Sequence, residues 1–190
     1  MSSKELIVVG GPNGSGKTTF AEEYVSRHHC TYIGADAIAA ELSPDNPVLA
    51  QLAAGREVLE RINKALAGAA SFVAESTLAG RTLQHVFRDA RDAGFTNTIV
   101  YLLMDSPDTC VERVYERVQK GGHPVPEVDI RRRFTRSLLN FWNLYRPLAD
   151  HWVLIYNAGS QPQDVALGTA TDMSVRDAEL YEEFQRLLHD

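Results

Sequence analysis

Cysteine is nearly absent from the 190-residue sequence: Cys30 and Cys110 stand far apart, with no C-x-x-C partner for either. That excludes a disulfide framework and a thiolate metal cage, suits a reducing cytoplasm, and leaves both cysteines as small apolar core residues. Long apolar runs are missing too. No stretch reaches the roughly 18 residues that a bilayer demands. The opening Met-Ser-Ser-Lys-Glu has neither the apolar core nor the cleavage site of a signal peptide. A cytoplasmic protein without a membrane partner is expected. Excess positive charge is absent as well: a net charge of −6 argues against a nucleic-acid-binding surface. None of the six histidines falls in H-E-x-x-H or comparable spacing, so no zinc site is expected.

What is present centres on one stretch. Leu6-Ile7-Val8-Val9 runs into Gly11-Pro12-Asn13-Gly14-Ser15-Gly16-Lys17-Thr18-Thr19, which fits G-x-x-x-x-G-K-[ST] without a mismatch. Glycines at 11, 14 and 16 permit positive φ, so successive N–H groups turn into one concavity sized for phosphate oxygens. A helix opening near Gly16 adds its unpaired N–H groups and positive dipole end. Lys17 is expected on the β/γ-phosphates of ATP or GTP and the Thr18 hydroxyl on Mg²⁺. The alternative, a glycine-rich turn with no ligand, does not explain the full motif between an apolar run and a helical pattern (Phe20, Ala21, Tyr24, Val25).

Apolar periodicity predicts one α/β domain over residues 1–190 with a five-stranded parallel sheet. The strands are 5–9, 31–34, 71–74, 98–104 and 152–156. Helices are predicted to about His28, over 37–42, from Val48 through Leu52, Leu59, Ile62 and Leu66, and over 81–93 up to Gly94. The next begins after Ser106-Pro107, a hydroxyl cap with proline at the first helical position. Another carries Ile130, Phe134, Leu138, Phe141 and Tyr145 inward. Ser174-x-x-Asp177 reads as the cap of a last helix. Trp142 and Trp152 read as core.

Ligands of an open α/β sheet collect beyond the carboxyl ends of its strands, and acids end two of them. Asp36, after strand two, suits a general base for a hydroxyl acceptor or a helix cap; the residues leave both open. Glu75, Ser76 and Thr77, after strand three, suit substrate or a metal-bound water on one reading, and helix capping on the other. Arg81 is a weaker substrate candidate. No apolar strand ending in aspartate, as P-loop switches carry, stands out after the motif. Residues 112–136 hold seven basic side chains against four acids, a cationic block that points to a small anionic ligand. It reads as a lid over about 113–136, hinged at Gly121-Gly122 and stiffened by Pro124 and Pro126. Arg113 and Arg117 share a helical face toward phosphate, and Arg133 flanks an apolar stripe; Arg132, nearly opposite it, is expected in solvent. His123 suits the turn or a ligand, and Asn157 a nucleotide base or a simple turn.

Taken together, the glycine loop with Lys17-Thr18, Asp36, Glu75-Ser76-Thr77-Leu78 and Arg113-Val-x-x-Arg117-Val-x-x-Gly-Gly-His-Pro-Val-Pro126 before an Arg-Arg-Phe helix resemble the zeta toxin family. The closest likeness is to its short, chromosomally encoded members, from about Gly10 to Asn157. The resemblance implies a kinase that moves the γ-phosphoryl of ATP or GTP to the 3′-hydroxyl of the amino sugar of UDP-N-acetylglucosamine. It also implies Asp36 as base, Glu75 with substrate, Arg117 and Arg133 on the triphosphate, and a possible antitoxin partner. Kinases for another sugar, nucleoside or antibiotic, and a non-catalytic NTP switch, are the competing classes.

Overall fold

β1 (Glu5–Gly10) is apolar from Leu6 to Val9 because both of its faces are covered. Leu6 and Val8 pack into one large apolar cluster, while Ile7 and Val9 pack into a second on the opposite side. The computed structural model describes residues 4–68 and 70–189, without the side chains of Pro47 and Val48. From β1 the chain runs through α1 (Lys17–His28), β2 (Thr31–Ile33), α2 (Ala35–Leu42), a 3₁₀ turn (Pro47–Ala50), α3 (Gln51–Gly68), β3 (Phe72–Ser76) and α4 (Leu83–Asp92). It continues with β4 (Thr96–Leu103), α5 (Pro107–Gln119), α6 (Glu127–Asn140), a π-turn (Phe141–Tyr145), a 3₁₀ turn (Arg146–Leu148) and β5 (His151–Tyr156). Two further strands, β6 (Gln163–Gly168) and β7 (Met173–Val175), precede α7 (Ala178–His189). Residues 1–3, on which the reading of the chain's start rests, lie outside the described residues, as does the Val48 side chain.

The sheet order is β2-β3-β1-β4-β5-β6-β7. The first five strands are parallel, as their apolar runs predict, but β6 and β7 are antiparallel to their neighbours. The sheet is therefore seven-stranded and mixed. Only Val165 and Ala166 of β6 are buried and all of β7 is exposed, so this edge carries neither alternation nor an apolar run. Trp152 ties the edge down, donating its indole N–H to the Thr169 carbonyl at 2.8 Å.

Local chemistry moves several predicted boundaries. α2 begins at Ala35, so Asp36 sits inside its first turn and makes no cap bond. Leu52 faces solvent and Ala54 is the buried residue, because the 3₁₀ turn rotates the start of α3. α4 begins at Leu83, and Ser174 belongs to β7; Asp177 alone caps α7, accepting the Leu180 N–H at 3.0 Å. Ser106 caps α5 as its sequence predicts, accepting the Thr109 N–H at 3.1 Å. Cys110 is buried and Cys30 partly so, both free thiols. Among the described residues no helix is long and apolar enough to cross a membrane.

Trp142, Trp152, Tyr181 and Phe184 form an aromatic cluster that fastens α7 to β5. Phe184 is fully buried. Phe184→Ala is expected to cost about 3–5 kcal/mol of stability, read as a drop in the urea midpoint at unchanged slope.

Candidate active site

The glycine loop turns as its sequence requires: Gly11, Gly14 and Gly16 have φ of 146°, 78° and 85°. A Cβ on Gly14 would press into the Cys110 carbonyl of α5, so the loop and α5 meet too closely for any side chain there. α1 starts at Lys17, with its free N–H groups at the loop. The Lys17 ammonium is buried and donates to the Pro12 carbonyl at 2.8 Å. Burial lowers its pKa, opposed by the charges of Glu75 and then Asp36.

Strand order decides what faces the loop. β3 lies directly beside β1, with Glu75 in register with Val9. Glu75 Oε2 accepts the Thr18 hydroxyl at 3.0 Å and the Tyr32 hydroxyl at 2.6 Å. β2 lies one strand farther out, and the chain leaving it turns at once into α2. That places Asp36 across a cavity of about 420 Å³ that Asn13, Gly14, Gly16, Lys17, Thr18, Thr19, Glu75, Thr77, Arg113, Arg117, His123 and Arg133 also line.

The cationic block meets this cavity unevenly. Arg117 donates to the His123 carbonyl at 3.0 Å, and its Nη1 stands 3.9 Å from Asp36 Oδ2. The His123 ring reaches the other oxygen, Nε2 lying 3.4 Å from Asp36 Oδ1. Arg133 donates to the Asn13 side chain at 3.4 Å. The Arg117 Nε is buried with no protein partner among the described residues, a donor that suits an anion; the Ser15 hydroxyl is unpartnered too but borders neither this cavity nor its neighbour.

Other predicted contacts are engaged elsewhere. Arg113 gives its guanidinium to the carbonyls of Asn157 and Ala158, at 2.7 and 2.9 Å. The Asn157 amide donates to the Ser15 carbonyl at 2.8 Å, so both residues brace the loop after β5 against the glycine loop, and Asn157 borders neither cavity. Arg81 is exposed and borders neither this cavity nor its neighbour. Ser76 and Thr77 cap no helix; their hydroxyls accept the N–H groups of Leu78 and Ala79, closing a tight turn. Leu78 at its apex is buried with φ 54°, a left-handed conformation costly for a branched side chain. Asn140 donates to the Leu78 carbonyl and Tyr145 to that of Gly80, at 2.8 and 2.6 Å, holding the turn from α6 and the π-turn after it.

That turn divides the first cavity from a second of about 530 Å³, lined by Val58, Leu59 and Ile62 of α3, by Thr77 and Gly80, and by Arg132, Arg133 and Arg136. Arg132 is half exposed and paired with Asp129 at 2.7 Å, yet it borders this cavity instead of facing only solvent.

Two features escaped the sequence pattern. Tyr32 looks like any strand aromatic until β2 and β3 are paired. Ile99–Met104 is an apolar run ending in an aspartate, Asp105, but its carboxylate lies outside both cavities, with one oxygen buried and unpartnered. Among the described residues no three His, Cys, Asp or Glu side chains cluster as a metal cage. One hydroxyl beside one carboxylate is instead a donor set that fits Mg²⁺ shared with phosphates.

The chain is similar to known proteins. A protein of Haemophilus influenzae without an assigned role is 32% identical over 68% of this chain and 92% of its own. A dephospho-CoA kinase of Thermobifida fusca is 29% identical over 97% of this chain and 99% of its own. Among solved structures, an AvrRxo1-ORF1:AvrRxo1-ORF2 complex with ATP superposes with a TM-score of 0.73 at 18% identity, over 96% of this chain and 63% of that one. The PezAT chromosomal toxin-antitoxin system of Streptococcus pneumoniae superposes with a TM-score of 0.66 at 14% identity, over all of this chain and 87% of that one. At such identities the two structures show a common P-loop kinase-like fold. Residues 6–136, which carry the glycine loop, both acids and the arginine block, match the AAA domain family model, and the chain belongs to that family.

Proposed function

We propose that the chain is a zeta-type small-molecule kinase that transfers the γ-phosphoryl group of ATP or GTP to an alcohol, the 3′-hydroxyl of the amino sugar of UDP-N-acetylglucosamine. The observation that carries the reading is Asp36, an exposed carboxylate lining the cavity of Lys17 and Thr18, with one oxygen facing His123 and the other Arg117. A helix-capping role would have bound it to backbone N–H groups, and it binds none.

In this reading the loop N–H groups and Lys17 hold the β- and γ-phosphates. Thr18, with Glu75 beside it, would hold Mg²⁺, which when bound would neutralise charge on those oxygens. Asp36 takes the acceptor's proton as its oxygen attacks the γ-phosphorus. The bond from that phosphorus to the β-bridging oxygen breaks, and the nucleoside diphosphate leaves. Arg117 and Arg133 offset the charge that spreads over the equatorial oxygens. The 113–136 segment is the lid; its moving part is the 120–126 turn, because α5 and α6 share an apolar cluster of Cys110, Val114, Ile130 and Phe134. The acceptor presents its hydroxyl to Asp36 in the first cavity and extends into the second, whose aliphatic wall and three arginines suit a diphosphate-bearing sugar nucleotide. Both solved neighbours come from two-component assemblies, one named a toxin-antitoxin system, which supports an antitoxin partner here. The Thermobifida relative favours a second reading, a metabolite kinase with another acceptor.

Labelled ATP with UDP-N-acetylglucosamine is expected to give a phosphorylated sugar nucleotide; phosphorylation of a different metabolite in its place would support the second reading. Asp36→Asn is expected to lower turnover about 10²–10⁴-fold with nucleotide affinity retained, since it removes proton transfer and no phosphate contact. Measuring both on one preparation separates a base from a nucleotide ligand. Lys17→Met should abolish nucleotide binding yet raise the melting temperature of the nucleotide-free protein. The rise is about 2–4 °C for each kcal/mol of desolvation relieved. Scanning calorimetry with and without ATP reads both effects.

A further inference from the structure

Glu75 is held by two hydroxyls, and only one belongs to the glycine loop. Tyr32 lies in β2 opposite Val73 of β3, and its long side chain carries the phenol two residues farther, to Glu75 Oε2. The space it crosses is kept clear: a Cβ on Gly34 would collide with the Tyr32 hydroxyl. Gly34 has φ −128°, a conformation open to any residue, so clearance and not backbone freedom explains glycine there. Burial, followed by the neighbouring Glu75 charge, pushes the Tyr32 pKa well up, which keeps the phenol a donor.

The pull on Glu75 from the other side is Lys17, whose buried ammonium feels that carboxylate more than any other charge. No ion pair joins the two among the described residues; Lys17 is bonded to Pro12. If Glu75 swung across, it would fill the phosphate position and leave Thr18. The Thr18 hydroxyl has lone pairs to offer a cation while its O–H donates to Glu75. One hydroxyl bond alone would leave the carboxylate free to rotate. The second fixes Oε2 and leaves Oε1 for a water in the cation's shell.

We propose that Tyr32 is a positioning residue for the divalent cation, its hydroxyl keeping Glu75 turned toward Thr18 and away from Lys17. The inference rests on the proposed Mg–nucleotide site and deepens it. Mn²⁺, followed by electron paramagnetic resonance, is titrated into protein saturated with ADP, for the wild type, Tyr32→Phe and Gly34→Ala. Tyr32→Phe keeps the ring and loses the donor; Gly34→Ala keeps the donor and displaces it. Both are expected to weaken Mn²⁺ binding about tenfold or more, the scale of a lost hydrogen bond to a charged group. Metal-free ADP affinity is expected to stay unchanged. Wild-type Mn²⁺ affinity in both variants would overturn the proposal. So would a fall in metal-free ADP affinity as large as the fall for Mn²⁺, the mark of a merely structural role. A wild-type chain that takes up no Mn²⁺ with ADP would overturn it too. Neither titration involves an acceptor or turnover, so a failed kinase reading and a failed role for Tyr32 give different results.

Discussion

A buried ammonium at the carboxyl end of a parallel sheet is the constraint that everything around it answers. Lys17 sits in the first turn of α1, where the helix dipole is already positive, and burial denies it water. Among the described residues no carboxylate pairs with it at contact distance, and its hydrogen bond goes to one carbonyl. The compensation comes from farther off, from Glu75 and Asp36, each too distant to form an ion pair. A site that leaves a positive charge dry, unpaired and flanked by free backbone N–H groups is organised for an anion that arrives from outside. The Arg117 Nε, unpartnered among the described residues, adds to the same deficit.

The sheet supplies the distances. Placing β3 between β1 and β2 sets Glu75 one strand, and Asp36 two strands, from the glycine loop. The nearer acid reaches Thr18; the farther acid meets the arginine block instead. Two carboxylates of nearly the same sequence context thus acquire different surroundings from strand order alone. Such a separation is what an acid–base site and a metal site need from one another.

Much of this was legible in the chain itself. The glycine loop, the five parallel strands and the Ser106 cap follow from local rules, because each depends on residues within one turn or one strand. What was not legible depends on packing between distant segments. β6 and β7 cover the sheet edge with almost no apolar pattern, and their place is fixed by Trp152 and Phe184. Arg113 and Asn157, 44 residues apart, also tie the loop after β5 to the glycine loop, a link that neither residue announces. Tyr32 gains meaning only once β2 and β3 are paired. Leu78 gives no warning at all: nothing about leucine announces a left-handed conformation.

That strained turn shows how the two cavities are kept distinct. Leu78 drives its side chain under Gly10, where a Cβ on the glycine would meet it, so the end of β1 and the turn after β3 interlock. A relaxed residue at 78 would let the 76–80 turn lift from β1, and Thr77 lines both cavities. The hydrogen bonds from Asn140 and Tyr145 oppose that release, and they come from the end of α6, the helix that also presents Arg133 to both cavities. The π-turn at 141–145 is where such a constraint would be built, since one extra residue per turn re-aims the side chains that follow it. The wall between phosphate and second cavity is therefore held by the same element that carries the arginine they share. Movement of α6 would shift both together, because the Asn140 and Tyr145 hydrogen bonds carry the wall with it.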